Sequence, residues 1–243
     1  MGVADTTAST SHTAQAAPNG QTKTPWLPLT TNARGIYFAA AIDPENPCYN
    51  TAEVLQCPAD TDVTLLREAL VQLYRENEGF RVRTRIADGA ASQQILPLEA
   101  FLSGIDLLVD GGELEEGELN GSAEAGEEPS SALSESALSD SVLPAPVRAW
   151  AQRLLAQPLT TDEGVTVRSA LARYGGFLWV YHSFSHVVAD GFAAFNGLSR
   201  VAAIYRALSA GQPVPPTRRM SLQQLLDADE AASATRDEDL AFW

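Results

Sequence analysis

Phe177-Leu178-Trp179-Val180-Tyr181-His182-Ser183-Phe184-Ser185-His186-Val187-Val188-Ala189-Asp190-Gly191 is the stretch that decides the fold. Its first five residues are apolar on both faces, which predicts a central strand covered on each side. Gly175-Gly176 joins it to an earlier strand, Val165 to Tyr174, in the manner of a tight hairpin. Beyond the strand Asp190-Gly191 opens a helix. Phe192, Phe195, Leu198, Val201, Ala202, Tyr205 and Leu208 recur at helical spacing until Gly211 and a Pro-rich segment stop them. A strand, a short turn and a helix N-terminus in succession project side chains past the strand end, where sites in open sheets form. His186, one of three histidines in 243 residues, stands at that junction.

Working outward, the folded part begins near Trp26 and meets a threonine-capped helix from Thr30 to Ala41. Asp43-Pro44-Glu45-Asn46-Pro47 breaks the chain before a strand through Thr51 to Cys57. Asp60 or Thr61 caps the next helix, in which Val63, Leu66, Ala69, Leu70 and Leu73 form one apolar stripe that ends near Glu78-Gly79. A strand follows, with Phe80, Val82, Thr84 and Ile86 on one face and Arg81, Arg83 and Arg85 on the other. Three arginines on one face need solvent or acidic partners. Further elements are expected at Gln93 to Leu96, in a helix from Pro144 carrying Val147, Trp150, Leu154 and Leu155, and in a last helix from Ser221.

Composition bounds the class. A chain of 243 residues with 45% hydrophobic content is long enough for a sizeable core. Its net charge of -15 is concentrated between Arg85 and Arg148, where thirteen acids stand without a single Lys or Arg. The remainder carries 18 acids against 16 bases, so neither part has the basic face that a nucleic-acid phosphate backbone requires. Residues 1–24, rich in Ala, Thr and Ser, read as a disordered tail, and about 111–142, built of Gly, Glu, Ser and Ala, as an acidic disordered insertion. No apolar run approaches a membrane span and no leader pattern opens the chain, so the expected location is the cytoplasm. Cys48 and Cys57 read as reduced apolar fillers. The closing Phe242-Trp243, two aromatics of the buried type, suggest a domain that continues.

An imidazole at the strand end can be neutral near pH 7, take a proton from an attacking amine or hydroxyl, and return it to a leaving group. The bland alternatives are a satisfied core histidine for His186, a helix N-cap for Asp190 and a turn residue for Gly191. No metal is expected, because His182 and His186 straddle a strand end and no thiolate or carboxylate completes a set. Ser183 and Ser185 lack the strained glycine elbow of an esterase nucleophile. No glycine loop that would cradle a phosphate occurs.

Ser185-His186-Val187-Val188-Ala189-Asp190-Gly191 resembles the HHxxxDG signature of nonribosomal peptide synthetase condensation domains, relatives of chloramphenicol acetyltransferase. Leu27-Pro28-Leu29-Thr30 through Pro47-Cys48-Tyr49-Asn50 is similar to the opening of those domains, and Glu78-Gly79-Phe80-Arg81-Val82-Arg83 resembles their second motif. The helix ending Ile204-Tyr205-Arg206-Ala207-Leu208 and the terminal Leu240-Ala241-Phe242-Trp243 fit as well. The resemblance implies an α/β (α+β two-layer) chloramphenicol acetyltransferase-like half-domain over 25–243, a mixed sheet with helices packed on one face, and only the N-terminal lobe of the two-lobed domain. Ser185 stands where the family has its first histidine and Ala33 where the first motif usually has glutamine.

The same resemblance implies the chemistry. His186 would be the catalytic residue, as base or as orienter of an acceptor amine. That amine attacks a thioester on the phosphopantetheine arm of a carrier protein, forms an amide and frees the thiol. Asp190 would be structural and pair with Arg81, Gly191 would let the backbone approach the reacting centre, and Ser185 would support the site. No cofactor is bound directly, and the implied partners are peptidyl or aryl carrier domains and the C-terminal lobe. With only a short tail before the domain, a starter module is expected, and the strand Trp179-Val180-Tyr181 and the Asp190-Gly191-Phe192 junction resemble siderophore synthetases. The alternatives are a non-catalytic carrier-binding half-domain and an acyl-CoA-dependent acyltransferase of the same fold.

Overall fold

The structure is a computed structural model and describes residues 24–116 and 143–233. The expected N-terminal tail up to residue 23, the acidic stretch from 117 to 142 and the terminal Leu240-Ala241-Phe242-Trp243 lie outside the described residues. The element order is β1 (Trp26–Pro28), α1 (Thr31–Ile42), β2 (Asn50–Pro58), α2 (Val63–Glu76), β3 (Val82–Ala87), β4 (Ala90–Ile95), α3 (Leu98–Ser103) and β5 (Val109–Glu113). It continues with α4 (Ala145–Leu155), β6 (Val167–Tyr174), β7 (Phe177–Ser185), α5 (Gly191–Ser209) and α6 (Leu222–Ser233).

The strands form two sheets, ordered β1-β4-β3 and β2-β7-β6-β5. The larger is mixed, since β5 runs parallel to β6 and the other pairs are antiparallel. β7 lies between β2 and β6 and is buried over all but its first residue, as its uninterrupted apolar run requires. The β6–β7 hairpin turns at Gly175 and Gly176, with φ of 61° and 76°. Both lie in the left-handed region that a two-residue turn of the correct twist demands and that glycine enters without a Cβ clash.

Two helices cover one face of this sheet. The stripe Leu66, Ala69, Leu70 and Leu73 of α2 and Val201 and Ile204 of α5 pack on Leu171, Leu178, Val180 and Phe184. Full burial of a side chain of this size contributes about 1.5–3 kcal/mol, so this layer supplies the main apolar drive for the fold. On the opposite face α4 sets Val147, Trp150 and Ala151 against Ala170, Ala172, Trp179 and Tyr181.

The structure departs from the sequence reading in four places. The stretch from about 111 is not wholly an insertion: β5 reaches Glu113, Leu114 is buried, and its N–H donates to Arg173 O at 2.8 Å. Gly111 carries the strand past Trp150, whose indole nitrogen would lie 3.1 Å from an added Cβ. The cap of α2 is Asp62, which accepts from Thr64 N and Leu65 N, one residue past the expected Thr61. Ile86 is 48% exposed and so does not continue the buried face of Val82 and Thr84. Arg81 closes a 3-10 turn (Glu78–Phe80) and belongs to neither strand face. Arg83 and Arg85 do share a face, and their partner is aromatic: both guanidinium groups stack on Trp26, at 5.4 and 3.8 Å from its ring centre.

Candidate functional site

The turn after β7 is built from backbone bonds that carry the ladder one residue beyond the strand. Ser185 N donates to Thr166 O at 2.9 Å and His186 N donates to Tyr49 O at 2.8 Å. Ser185 then shapes the turn twice over, with its carbonyl accepting from Val188 N at 3.0 Å and its hydroxyl from Val187 N at 3.3 Å. Val187 and Ala189 tuck inward and are buried, which fixes the path that follows His186. His186 is left half-buried, with its Nδ1 shielded from solvent and without a hydrogen-bond partner.

His186 lines a cleft of about 1080 Å³ between α1, the turn after α2, the start of α5 and the start of α6. Polar residues on its walls include Asn32, Asn77, Asn196 and Arg219, beside Glu78 and Asp190. The sequence reading passed over Asn32, Asn77, Asn196 and Arg219, because isolated amides, and an arginine outside the signature motifs, carry no spacing signal. α6 is fastened across the cleft by two side chains. Glu78 accepts from Leu222 N, and Asp229 accepts from Thr31 N at 2.9 Å and Thr31 Oγ1 at 3.1 Å.

Asp190 is exposed and caps α5, its Oδ1 accepting from Ala193 N at 2.7 Å. The expected Asp190–Arg81 pair is absent. Arg81 instead donates to Tyr74 O at 2.8 Å and to Leu96 O, tying the end of α2 to the end of β4. Burial lowers its pKa, with Glu78 opposing. An arginine can discharge its donors on two carbonyls without any carboxylate, which is why the sequence argument from an arginine wanting an acid failed. Gly191 opens α5, but a Cβ added there would meet nothing within 4 Å among the described residues, so none of them makes use of its missing side chain.

His182 does not join His186. It is 3% exposed, and its Nε2 lies 3.1 Å from the Tyr74 hydroxyl, which is itself 3.3 Å from Ser169 Oγ. Burial pushes the His182 pKa down to about 4, so the ring is neutral, and pushes that of Tyr74 up to about 12. Among the described residues no group of His, Cys, Asp and Glu could hold a metal, and no helix is long and apolar enough to cross a membrane.

Chemically, the cleft offers one half-buried imidazole, amide donors and acceptors around it, and no carboxylate hydrogen-bonded to the ring among the described residues. Such a group can hold or move one proton but supplies no nucleophile. A mixed sheet bearing α2 and α5 on one face, with a signature histidine in the turn between β7 and α5, is the chloramphenicol acetyltransferase-like fold of condensation domains in partial form.

The comparisons agree on that class. No family model matches the chain. It is 30% identical over 220 residues to a dimodular nonribosomal peptide synthase of Bacillus subtilis (strain 168), over 88% of this chain and 8% of that protein. To an isonitrile lipopeptide synthase of Streptomyces coeruleorubidus it is 26% identical over 222 residues, 89% of this chain and 13% of that protein. Among solved structures, the starter condensation domain of rhizomide synthetase in complex with C8-CoA and Leu-SNAC superposes with a TM-score of 0.69 at 22% identity. The match covers 90% of this chain and 44% of that one. The first condensation domain of the calcium-dependent antibiotic synthetase gives 0.68 at 22% identity, over 86% of this chain and 44% of that one. The chain thus spans less than half of these solved condensation domains and a small part of the synthases.

Proposed function

We propose that the chain is the N-terminal lobe of a condensation domain that joins a carrier-bound acyl or aminoacyl donor to a carrier-bound aminoacyl acceptor in the cytoplasm. His186 is the catalytic residue in this reading. Its imidazole, through the ring nitrogen that is not shielded, holds or accepts a proton of the acceptor amine as the amine attacks the donor thioester. The C–N bond forms, the C–S bond breaks, and the proton ends on the phosphopantetheine thiol. The observation that supports this most is the placing of a half-buried His186 on the wall of a cleft of about 1080 Å³. Carrier domains deliver both substrates, and the C-terminal lobe supplies the facing wall of the cleft. Asp190, Ser185 and Arg81 act by shaping the elements around it, through a helix cap, a turn and a pair of carbonyl bonds. A starter role, with a fatty acyl donor, draws support from the C8-CoA bound by the rhizomide starter domain. The siderophore-type module has no such support.

The test is condensation assayed by mass spectrometry in the protein joined to a C-terminal lobe, with loaded carrier proteins and separately with acyl-CoA. His186→Ala should remove product, and turnover at the wild-type rate would sink the assignment. The second reading, a carrier-binding half-domain without catalysis, is favoured by Ser185 in place of the first signature histidine. It predicts carrier binding, unchanged by His186→Ala, and no product from either donor.

A further inference from the structure

Arg218-Arg219-Met220-Ser221-Leu222 is the one place in the chain where two Lys or Arg residues adjoin, and it leads into α6. Residues 212–221 belong to no helix or strand, and residues 215–220 are all exposed. Among the described residues the backbone of 216–220 takes part in no hydrogen bond, and Arg218 has no ionic partner. Arg219 reaches Glu76 at 4.0 Å, but that carboxylate is already held by Arg200. Two free guanidinium groups, then a hydroxyl one residue further on and an aliphatic side chain after it, form a charge pattern of the kind by which kinases choose substrates. Other hydroxyls preceded by arginine match it less well. Thr84 follows Arg81 and Arg83 but is 1% exposed inside β3, and Ser209 has Arg206 alone.

We propose that Ser221 is a phosphorylation site for a serine kinase with an acidic substrate groove. Carboxylates of that groove take Arg218 and Arg219, and an apolar pocket takes Leu222. Ser221 Oγ attacks the γ-phosphorus of ATP, and the new O–P bond forms as the bond to the β-phosphate oxygen breaks. ADP leaves, and the hydroxyl proton passes to the kinase's aspartate. Ser221 is half-buried and Leu222 buried, so the first turn of α6 opens to admit the enzyme. The buried residues of α6 are Leu222 and Leu226. Its first turn is held by Gln224 N donating to Ser221 Oγ at 3.1 Å, Ser221 N donating to Gln224 Oε1 at 2.9 Å, and Leu222 N donating to Glu78. A helix end with so few apolar anchors opens at low cost. Once attached, the phosphate brings about two negative charges to the N-terminus of α6, whose N–H groups attract it. Glu78 already occupies that terminus through Leu222 N, and like charges repel there. The phosphate therefore displaces Glu78, and α6 loses one of the two side chains that fasten it across the His186 cleft.

The test uses the full chain, ATP and the catalytic subunit of cyclic-AMP-dependent protein kinase as the arginine-directed enzyme, with the site located by peptide mass spectrometry. Phosphate should appear on Ser221 and be lost in Ser221→Ala. Arg218→Ala combined with Arg219→Ala should slow incorporation by at least about tenfold, the scale of one lost charge-assisted hydrogen bond. No incorporation into the folded chain, label on Ser209 instead, or an unchanged rate in the double arginine variant would each overturn the site. Hydrogen exchange then reads the consequence. Phosphorylation should raise exchange in the first turn of α6 in the wild type but not in Glu78→Gln, where the phosphate meets a neutral amide. No rise in the wild type, or an equal rise in both, would refute the displacement of Glu78. His186→Ala should take up phosphate at the wild-type rate, so failure here is separable from failure of the condensation reading.

Discussion

Tyr74 on α2 and His182 on β7, 108 residues apart in the chain, are joined by a hydrogen bond of 3.1 Å between the phenol oxygen and Nε2. Both are buried, and the rings stack at an interplanar angle of 22°. The contact ties the helix layer to the central strand through polar atoms inside an otherwise apolar core. It also fixes the protonation chemistry of that core.

The first prediction concerns acid. His182 has a folded pKa of about 4, below the value near 6.5 of an exposed histidine. A group whose folded pKa is depressed binds more protons when unfolded, so its contribution to stability is present above the unfolded value and is lost as pH falls toward the folded one. Unfolding free energy should therefore drop by about 3 kcal/mol between pH 6.5 and 4 on account of His182. Glu53, the titrating carboxyl nearest in register, has its pKa raised by burial and contributes with opposite sign. Urea melts of His182→Phe, which keeps Glu53, provide the reference. Equal acid slopes in the two proteins would refute the assignment.

The second prediction separates a cap from an ion pair. Asp190 accepts from Ala193 N, and Arg81 is satisfied by the carbonyls of Tyr74 and Leu96. Asn caps as well as Asp, so Asp190→Asn should stay within about 0.5 kcal/mol of wild type in thermal or urea unfolding, while Asp190→Ala should lose about 1 kcal/mol. Were the residue paired with Arg81, the asparagine and alanine variants would lose stability alike.

What the sequence disclosed, and what it withheld, follows from the range of the forces involved. The central strand, the Gly175-Gly176 hairpin and the helix from Gly191 were legible because each depends on residues a few positions apart. His186 at the strand end was legible for the same reason. The partner of Arg81 was not, since a carbonyl of any residue accepts a guanidinium and leaves no mark in composition. β5 was hidden because Asp110-Gly111-Gly112-Glu113 has the composition of a solvated loop, and only Trp150 and β6, far along the chain, make it a strand. The Tyr74–His182–Ser169 cluster was hidden likewise, being three unremarkable residues on three elements.

The third prediction addresses catalysis. The His186 ring lines the cleft, and its Nδ1 bonds to nothing in the fold. His186→Ala should therefore change unfolding free energy by less than about 1 kcal/mol, in the range of substitutions outside the packed core. In the two-lobed protein the same change should lower the condensation rate by about 10²- to 10⁴-fold, the usual contribution of a positioned proton-transfer group. A matched loss of stability and activity would mean that the histidine is structural.

The last prediction concerns the segment that leads to α6. Arg200 on α5 meets the Glu76 carboxylate with two nitrogens, at 2.7 and 2.8 Å, and also donates to Pro215 O at 2.7 Å. Both side chains of the pair are largely buried, 9% and 12% exposed, and the pairing holds the Glu76 pKa below its ordinary value. Removing Arg200 leaves the largely buried Glu76 carboxylate with Gln72 at 2.8 Å and Arg219 at 4.0 Å. Arg200→Met should cost about 3 kcal/mol, whereas the double change Arg200→Met with Glu76→Leu should recover most of it. Because Arg200 also holds the carbonyl of Pro215, the single variant should raise hydrogen exchange in α6 even where the core stays protected. Exchange in α6 unchanged by Arg200→Met would show that Glu78 and Asp229 suffice to keep that helix over the cleft.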